Sequence, residues 1–165
     1  MGMYCTLRRV PLEKLESYLK DSQLLENDFY SNELTEIPLL DIDKSWDGII
    51  FLLKSESKSN TEYRPLEQVI LGSAAIDDKQ DLGYGPAKYL LPAEVKDLNN
   101  QIKNITVNEL KNRFDASKMI AEGIYPDIWE EENNSFEYLE EYFVKLQSFY
   151  QHASWANEAV IIIID

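Results

Sequence analysis

The sequence contains few of the residues that enzymes use most often as nucleophiles or bases at neutral pH. It has one cysteine, Cys5, and one histidine, His152, among 165 residues. A single cysteine excludes an intramolecular disulfide, and any thiolate or imidazole chemistry would depend on these two side chains. The opening segment predicts a strand that packs Cys5 into the core, and helical spacing places His152 beside an apolar stripe. We therefore assign no catalytic residue.

Long hydrophobic runs are also absent, and basic residues are few. No apolar stretch approaches the roughly 20 residues of a membrane-spanning helix, and no basic leader precedes an apolar core. Thirty acidic residues against 16 basic ones give a formal charge of −14, which repels nucleic-acid phosphates and anionic lipids. We therefore expect a cytoplasmic protein that binds neither nucleic acid nor membranes.

The spacing of apolar residues predicts several helices and at least two strands. The longest helix is predicted to begin at Ser135 and to end near Asn157. Shorter helices are predicted to begin close to Pro11, Asp41 or Asp43, Pro92, Thr106 and Asp115. The tail 159–164 has the sequence AVIIII, a short β-branched run that is typical of a strand buried on both faces.

These elements predict one α+β domain over residues 1–165. A chain of this length has the usual size of a single domain and buries about 70% of the surface of the unfolded chain. We expect a small mixed sheet packed against several helices, with the long C-terminal helix followed by a final buried strand. Neither an internal repeat nor a domain linker is evident.

The most distinctive segment runs from Asp81 to Pro92 and has the sequence DLGYGPAKYLLP. Its glycines tolerate positive φ angles, and Pro86 fixes φ and removes a backbone donor. Pro92 suits the first turn of a helix. The segment is therefore predicted to form a turn, a short extended piece and the start of a helix.

This glycine-rich run and a second aromatic segment, 124–129, together predict a small cleft. Tyrosine and tryptophan rings would form its walls and a few charged side chains would meet there, which suits a small molecule or a peptide segment. The candidate ligand-binding residues are Asp81, Tyr84, Lys88, Tyr125, Asp127 and Trp129. A structural alternative stays open, because tyrosines beside prolines commonly form packing corners and aspartates commonly cap turns.

The acidic stretch 41–47 imitates two known loops without completing either. Its Asp41-Ile42-Asp43 sequence imitates the nucleophile loop of haloacid-dehalogenase-like phosphatases, but Pro38 interrupts the strand that such a loop must follow. As a calcium loop, the stretch has Trp46 where a glycine belongs and Leu52 where a bidentate glutamate belongs. We expect no metal site and no cofactor.

Several short motifs occur together in one order along the chain: Asp43-Lys44-x-Trp46, the DLGYGPAKYL run, Phe114-Asp115, Ile124-Tyr125-Pro126 and Trp129. In combination they resemble the YfbM-like family, a bacterial domain family of unknown function. The resemblance covers nearly the whole chain and implies a compact α+β domain, and it supplies no established catalytic residues.

The sequence departs from this family at three positions. Lys88 stands where relatives commonly have an arginine, so the charge is kept and the planar fork is lost. Asp47 and Phe51 stand where relatives often carry histidines, so an i, i+4 histidine pair for a metal is missing here.

These observations favour a non-enzymatic binding module with an acidic surface and an aromatic cleft. Its partner would be a basic protein, in an adaptor or immunity-type role, or else a small molecule. Acidic runs such as Glu130–Glu132 would steer a basic partner towards the surface. The alternative is an enzyme of unknown reaction that uses Asp81, Tyr84 and Lys88 around a small substrate. The sequence does not determine the oligomeric state.

Overall fold

The computed structural model describes residues 2–31, 36–54, 64–130 and 134–165. Within these ranges the strands are β1 (Cys5–Val10), β2 (Leu39–Asp41), β3 (Ala74–Ala75), β4 (Lys88–Leu90) and β5 (Ala159–Ile164). They form one sheet of five strands in the order β2-β1-β5-β4-β3. Every neighbouring pair is antiparallel, and β5 lies at the centre between β1 and β4.

Eight helices accompany the sheet in the described ranges. They are α1 (Leu12–Lys20), α2 (Ser22–Tyr30), α3 (Trp46–Lys54), α4 (Gln68–Leu71), α5 (Pro92–Ile102), α6 (Val107–Arg113), α7 (Ala116–Ala121) and α8 (Ser135–Trp155). None of these described helices combines the length and the hydropathy that a membrane-spanning segment requires.

Helices cover both faces of the sheet, as the central strand β5 shows. Its residues Val160 and Ile162 belong to a large apolar cluster with α3, α5 and α8. The alternate residues Ala159, Ile161 and Ile163 belong to a second cluster with α1 and α2. All five side chains are at most 2% exposed. The predicted final strand, buried on both faces, is therefore confirmed.

Local sequence features explain where several helices begin. Helix α5 has Pro92 at its first position, where the missing N–H costs no hydrogen bond. At the start of α6, the Glu109 N–H donates to Thr106 Oγ1 at 3.2 Å, and the Thr106 N–H donates to Glu109 Oε2 at 2.6 Å. This is a capping box. The Asp115 side chain caps α7 by accepting from the Lys118 N–H at 2.9 Å.

The predicted α+β class is confirmed, with two differences in detail. The sheet is antiparallel throughout rather than mixed, because all four pairs of neighbouring strands run in opposite directions. Helix α2 is absent from the sequence-based prediction, since its sequence SQLLENDFY is largely polar and buries only Leu25. Its start is nevertheless capped, because the Asp21 side chain accepts a hydrogen bond from the Gln23 N–H.

Helix α3 packs closely against the side chains of Trp129 and Leu139, and Gly48 makes this approach possible. A Cβ atom added to Gly48 would lie 2.6 Å from the Trp129 ring and 2.7 Å from a methyl carbon of Leu139. Trp129 and Leu139 are fully buried. A side chain at this position would therefore force buried groups to shift, which favours glycine.

We expect Gly48→Ala to lower the free energy of unfolding by about 1–3 kcal/mol, as overpacking in a core does. This loss should appear although alanine has the higher helix propensity. Urea denaturation measures it, with the exposed Lys96→Ala in α5 as a control that should change stability by less than about 0.5 kcal/mol. A Gly48→Ala protein as stable as the original would contradict the close packing.

Candidate functional site

The glycine-rich run forms a turn whose backbone N–H groups donate hydrogen bonds to the Asp81 carboxylate. Its Oδ1 atom accepts hydrogen bonds from the N–H groups of Gly83 and Gly85, each at 3.0 Å. These two bonds hold the pKa of Asp81 below its usual range. Asp81 thus acts as a turn cap, which is the structural alternative that the sequence left open.

This turn lies against the end of the central strand. The Tyr84 N–H donates to the Ile164 carbonyl at 3.1 Å. A Cβ atom on Gly83 would lie 2.8 Å from the Asp165 Cα, so a larger residue would not fit there. The Tyr84 side chain is 56% exposed. Lys88 lies farther along, half-buried in β4 opposite Ile162 of β5.

The second aromatic segment is held by three contacts of Tyr125. Its hydroxyl oxygen accepts from the Met3 N–H at 2.9 Å, and its own N–H donates to Asp47 Oδ2 at 3.0 Å. The ring stacks on Trp46, with centroids 5.8 Å apart and planes 29° apart. Asp127 is exposed and has a φ angle of 66°.

Trp129, the last candidate residue, is fully buried in the core. Its Nε1 donates to the Ile124 carbonyl at 2.6 Å, so both the ring and its polar atom have partners inside the protein. The ring packs against Gly48 of α3 and offers no open face to a ligand.

Both aromatic segments lie at the same end of the sheet, where β1 begins and β5 ends. Tyr4 and Asp165 are paired there, because the N–H of each residue donates to the carbonyl of the other, at 2.7 and 3.0 Å. Tyr84 is hydrogen-bonded to Ile164, the residue before Asp165, and Tyr125 is hydrogen-bonded to Met3, the residue before Tyr4. A cleft shared by all six candidate residues stays a prediction, while the contacts give Asp81 and Trp129 structural roles.

The contacts add residues that the cleft hypothesis did not include. The Tyr138 hydroxyl donates to Asp43 Oδ2 at 2.8 Å and accepts from the Lys44 N–H at 3.2 Å. Burial and the Asp43 carboxylate raise the pKa of Tyr138. The Lys44 ammonium lies 5.2 Å from the centre of the Tyr4 ring. The Asp43-Lys44-x-Trp46 motif lies in this corner, but from the sequence it supported only the family resemblance.

The contacts of the stretch 41–47 match neither the phosphatase nucleophile loop nor the calcium loop that its sequence imitates. Three carboxylates of the stretch are engaged separately: Asp41 accepts from the Asp43 N–H, Asp43 accepts from Tyr138 and Asp47 accepts from Tyr125. Among the described residues, no three acidic, histidine or cysteine side chains are grouped for metal binding. The preceding strand, β2, lies at the antiparallel edge of the sheet rather than in a doubly wound parallel sheet.

The surroundings of Cys5 and His152, the two residues suited to nucleophile or base chemistry, do not favour either role. Cys5 is fully buried, and burial together with the charges of Asp41 and Asp165 raises the pKa of its thiol. His152 is exposed near the end of α8, where its ring meets Trp155 edge to face at 5.7 Å. The predicted core position of Cys5 is confirmed.

We expect Asp81→Ala to destabilise the protein at neutral pH, because the turn loses the acceptor of two N–H groups. Since the native pKa of Asp81 is lowered, its ionic contribution is complete above the unfolded pKa of about 4. That contribution is lost as the pH falls through the native pKa. Urea denaturation at neutral pH and at about pH 3 should therefore show a difference between the two proteins that shrinks in acid.

The exposed Asp78→Ala serves as the control for this pH series. It should leave the pH dependence of stability as it is in the original protein. A stability loss in Asp81→Ala that is equally large at both pH values would contradict the carboxylate cap.

Comparisons with known proteins agree with the fold and leave the activity open. The chain is 26% identical to protein YfbM of Escherichia coli (strain K12) over 129 residues, which cover 78% of this chain and 75% of that protein. The crystal structure of Escherichia coli YfbM, described as a protein of unknown function, superposes with a TM-score of 0.74 at 22% identity. That superposition covers 98% of this chain and 99% of the other. The profile of a domain of unknown function, DUF1877, matches residues 1–163, and the chain therefore belongs to the DUF1877 family.

Proposed function

We propose that this protein is a non-enzymatic binding module that recognises a basic protein partner through one end of its sheet. The binding surface consists of the exposed side chains of Tyr4, Asp41, Tyr84 and Asp165; we call it the sheet-end surface. The observation that carries the proposal is the placement of two exposed tyrosines beside a pair of interacting carboxylates. The tyrosines are 41% and 56% exposed.

The tyrosines of this surface have the properties of contact residues in protein interfaces. Tyrosine presents a large, rigid and amphipathic side chain, and it is enriched among the residues that contribute most to binding energy. The backbone beneath Tyr4 and Tyr84 is fixed by hydrogen bonds to Asp165 and Ile164. Fixed backbone reduces the conformational entropy that binding would otherwise cost.

The carboxylates of this surface favour a cationic partner. Burial and the negative charge of Asp41 raise the pKa of Asp165, which indicates that the two carboxylates repel each other. A lysine or arginine placed between them would relieve this repulsion. The formal charge of −14 would also steer a basic protein towards the molecule over about one Debye length, roughly 10 Å at 0.1 M salt.

The described side chains offer little support for the alternative, an enzyme that uses Asp81, Tyr84 and Lys88. Asp81 is engaged with the backbone of its own turn. Lys88 lies within a strand, and Tyr84 has an exposed side chain rather than a position inside a cavity. Of the acidic run Glu130–Glu132, residues 131 and 132 lie outside the described residues.

The test begins with capture of the tagged protein from its native host at low salt, followed by native mass spectrometry of the intact complexes. We expect a stoichiometric basic protein that dissociates as salt rises, because screening weakens charge attraction. With that partner purified, the double variant Asp41→Asn/Asp165→Asn should bind about tenfold more weakly or worse, and Tyr84→Ala should weaken binding as well.

A matched control neutralises two acids far from this surface. Glu13 and Glu16 lie in α1, which follows the opposite end of β1, and both are exposed. The Glu13→Gln/Glu16→Gln variant should keep its affinity. A chain that carries a small retained mass and no protein would favour the enzyme, and activity lost in Tyr84→Phe or Lys88→Ala would then establish it.

A further inference from the structure

A groove runs between helices α3 and α7, and none of the residues that line it belongs to the sheet-end surface. It comprises two neighbouring cavities of about 210 Å³ and about 370 Å³. Both cavities are lined by Phe51 and Lys118, so these two side chains form the boundary that the cavities share. We call the pair of cavities the α3–α7 groove.

The smaller cavity has an apolar floor. Ile50 and Phe51 are 4% and 9% exposed, and the half-buried Ile124 adds a third apolar wall. A volume of about 210 Å³ is far more than the roughly 10–15 Å³ that a cavity needs to hold one water molecule. That space matches a single six-membered ring with one small substituent.

Three positive side chains line the groove, together with three acidic ones, in a protein whose overall charge is strongly negative. The Lys118 ammonium lies 5.6 Å from the centre of the Phe51 ring, at the boundary between the cavities. Lys54 lines the smaller cavity and Arg113 lines the larger one. Cations around an apolar floor suit a ligand that has an apolar body and a negative charge.

The acidic side chains in the groove are bound to other groups or weakly paired. Asp47 accepts from the Tyr125 N–H at 3.0 Å, and Asp115 caps α7 by accepting from the Lys118 N–H. Glu122 lies 3.8 Å from the Lys118 ammonium, and both side chains are at least half exposed. An exposed pair at this distance contributes little stability, so separating Glu122 from the Lys118 ammonium costs little.

We propose that the α3–α7 groove is a binding site for a small aromatic monocarboxylate. The ring of the ligand fills the smaller cavity against Ile50, Phe51 and Ile124, and its carboxylate meets the Lys118 ammonium. An inorganic anion lacks the apolar body, and a neutral ring lacks the charge. This site is independent of the sheet-end surface and of the partner proposed for it.

The test is an NMR titration of the ¹⁵N-labelled protein with benzoate, the simplest ligand of this class. We expect saturable shifts of the backbone amides of Phe51, Lys118 and Ile124. Benzamide, the neutral molecule of the same shape, should bind several-fold more weakly, since it lacks the charge attraction to lysine. Inorganic phosphate should leave the amides that line the smaller cavity unshifted.

The variant Lys118→Ala should weaken benzoate binding several-fold, and Lys118→Arg should retain most of it. Lys145→Ala is the matched control, because Lys145 also pairs with a glutamate one helical turn away, Glu141, at 2.6 Å. Its ammonium likewise lies 5.0 Å from an aromatic ring, that of Tyr142. This control should bind benzoate like the original protein.

Four results would overturn the site. Benzoate shifts that never saturate or that fall on the sheet-end surface would do so, as would equal affinities for benzoate and benzamide. An unchanged affinity in Lys118→Ala would also do so. If Lys118→Ala loses its folded amide spectrum, Lys118→Gln removes the charge, keeps all but one atom of the side-chain length and decides the same question.

Discussion

The pairing of β5 with both β1 and β4 is the constraint on which the rest of the structure depends. Six residues of β5 lie opposite six of β1, and three of them lie opposite β4. Because β5 is apolar on both faces, each face requires its own layer of helices. One face of β5 packs in the apolar cluster with α3, α5 and α8, and the other face packs in the cluster with α1 and α2.

The same pairing positions the sheet-end surface. The end of β5 receives Tyr4 on one side and the turn at Tyr84 on the other. Residues that are distant in sequence are thus brought together by strand ends rather than by a cavity. This arrangement presents side chains outward, which is why we favour protein recognition over small-molecule chemistry at this site.

Local features of this fold were predictable, and distant contacts were not. The capping box of Thr106 and Glu109 and the alternation of β5 depend on neighbouring residues, so the sequence displays them directly. The bond from Tyr138 to Asp43 joins residues 95 positions apart, and the bond from Met3 to Tyr125 joins residues 122 positions apart. Spacing patterns carry no information about such pairs. The burial of Trp129 was not predicted for the same reason. Its ring packs against Gly48 of helix α3, which is distant in the sequence.

The pairing of β1 with β5 also has a kinetic consequence. Cys5 lies opposite Ile164, so the centre of the sheet forms only after nearly the whole sequence has been brought into one closed loop. Contacts of such long range slow folding, because the loop-closure entropy is lost before the contacts are gained. Until then the apolar segment 159–164 lacks its partner strand β1, and a β-branched run with an unpaired edge is prone to aggregate during folding.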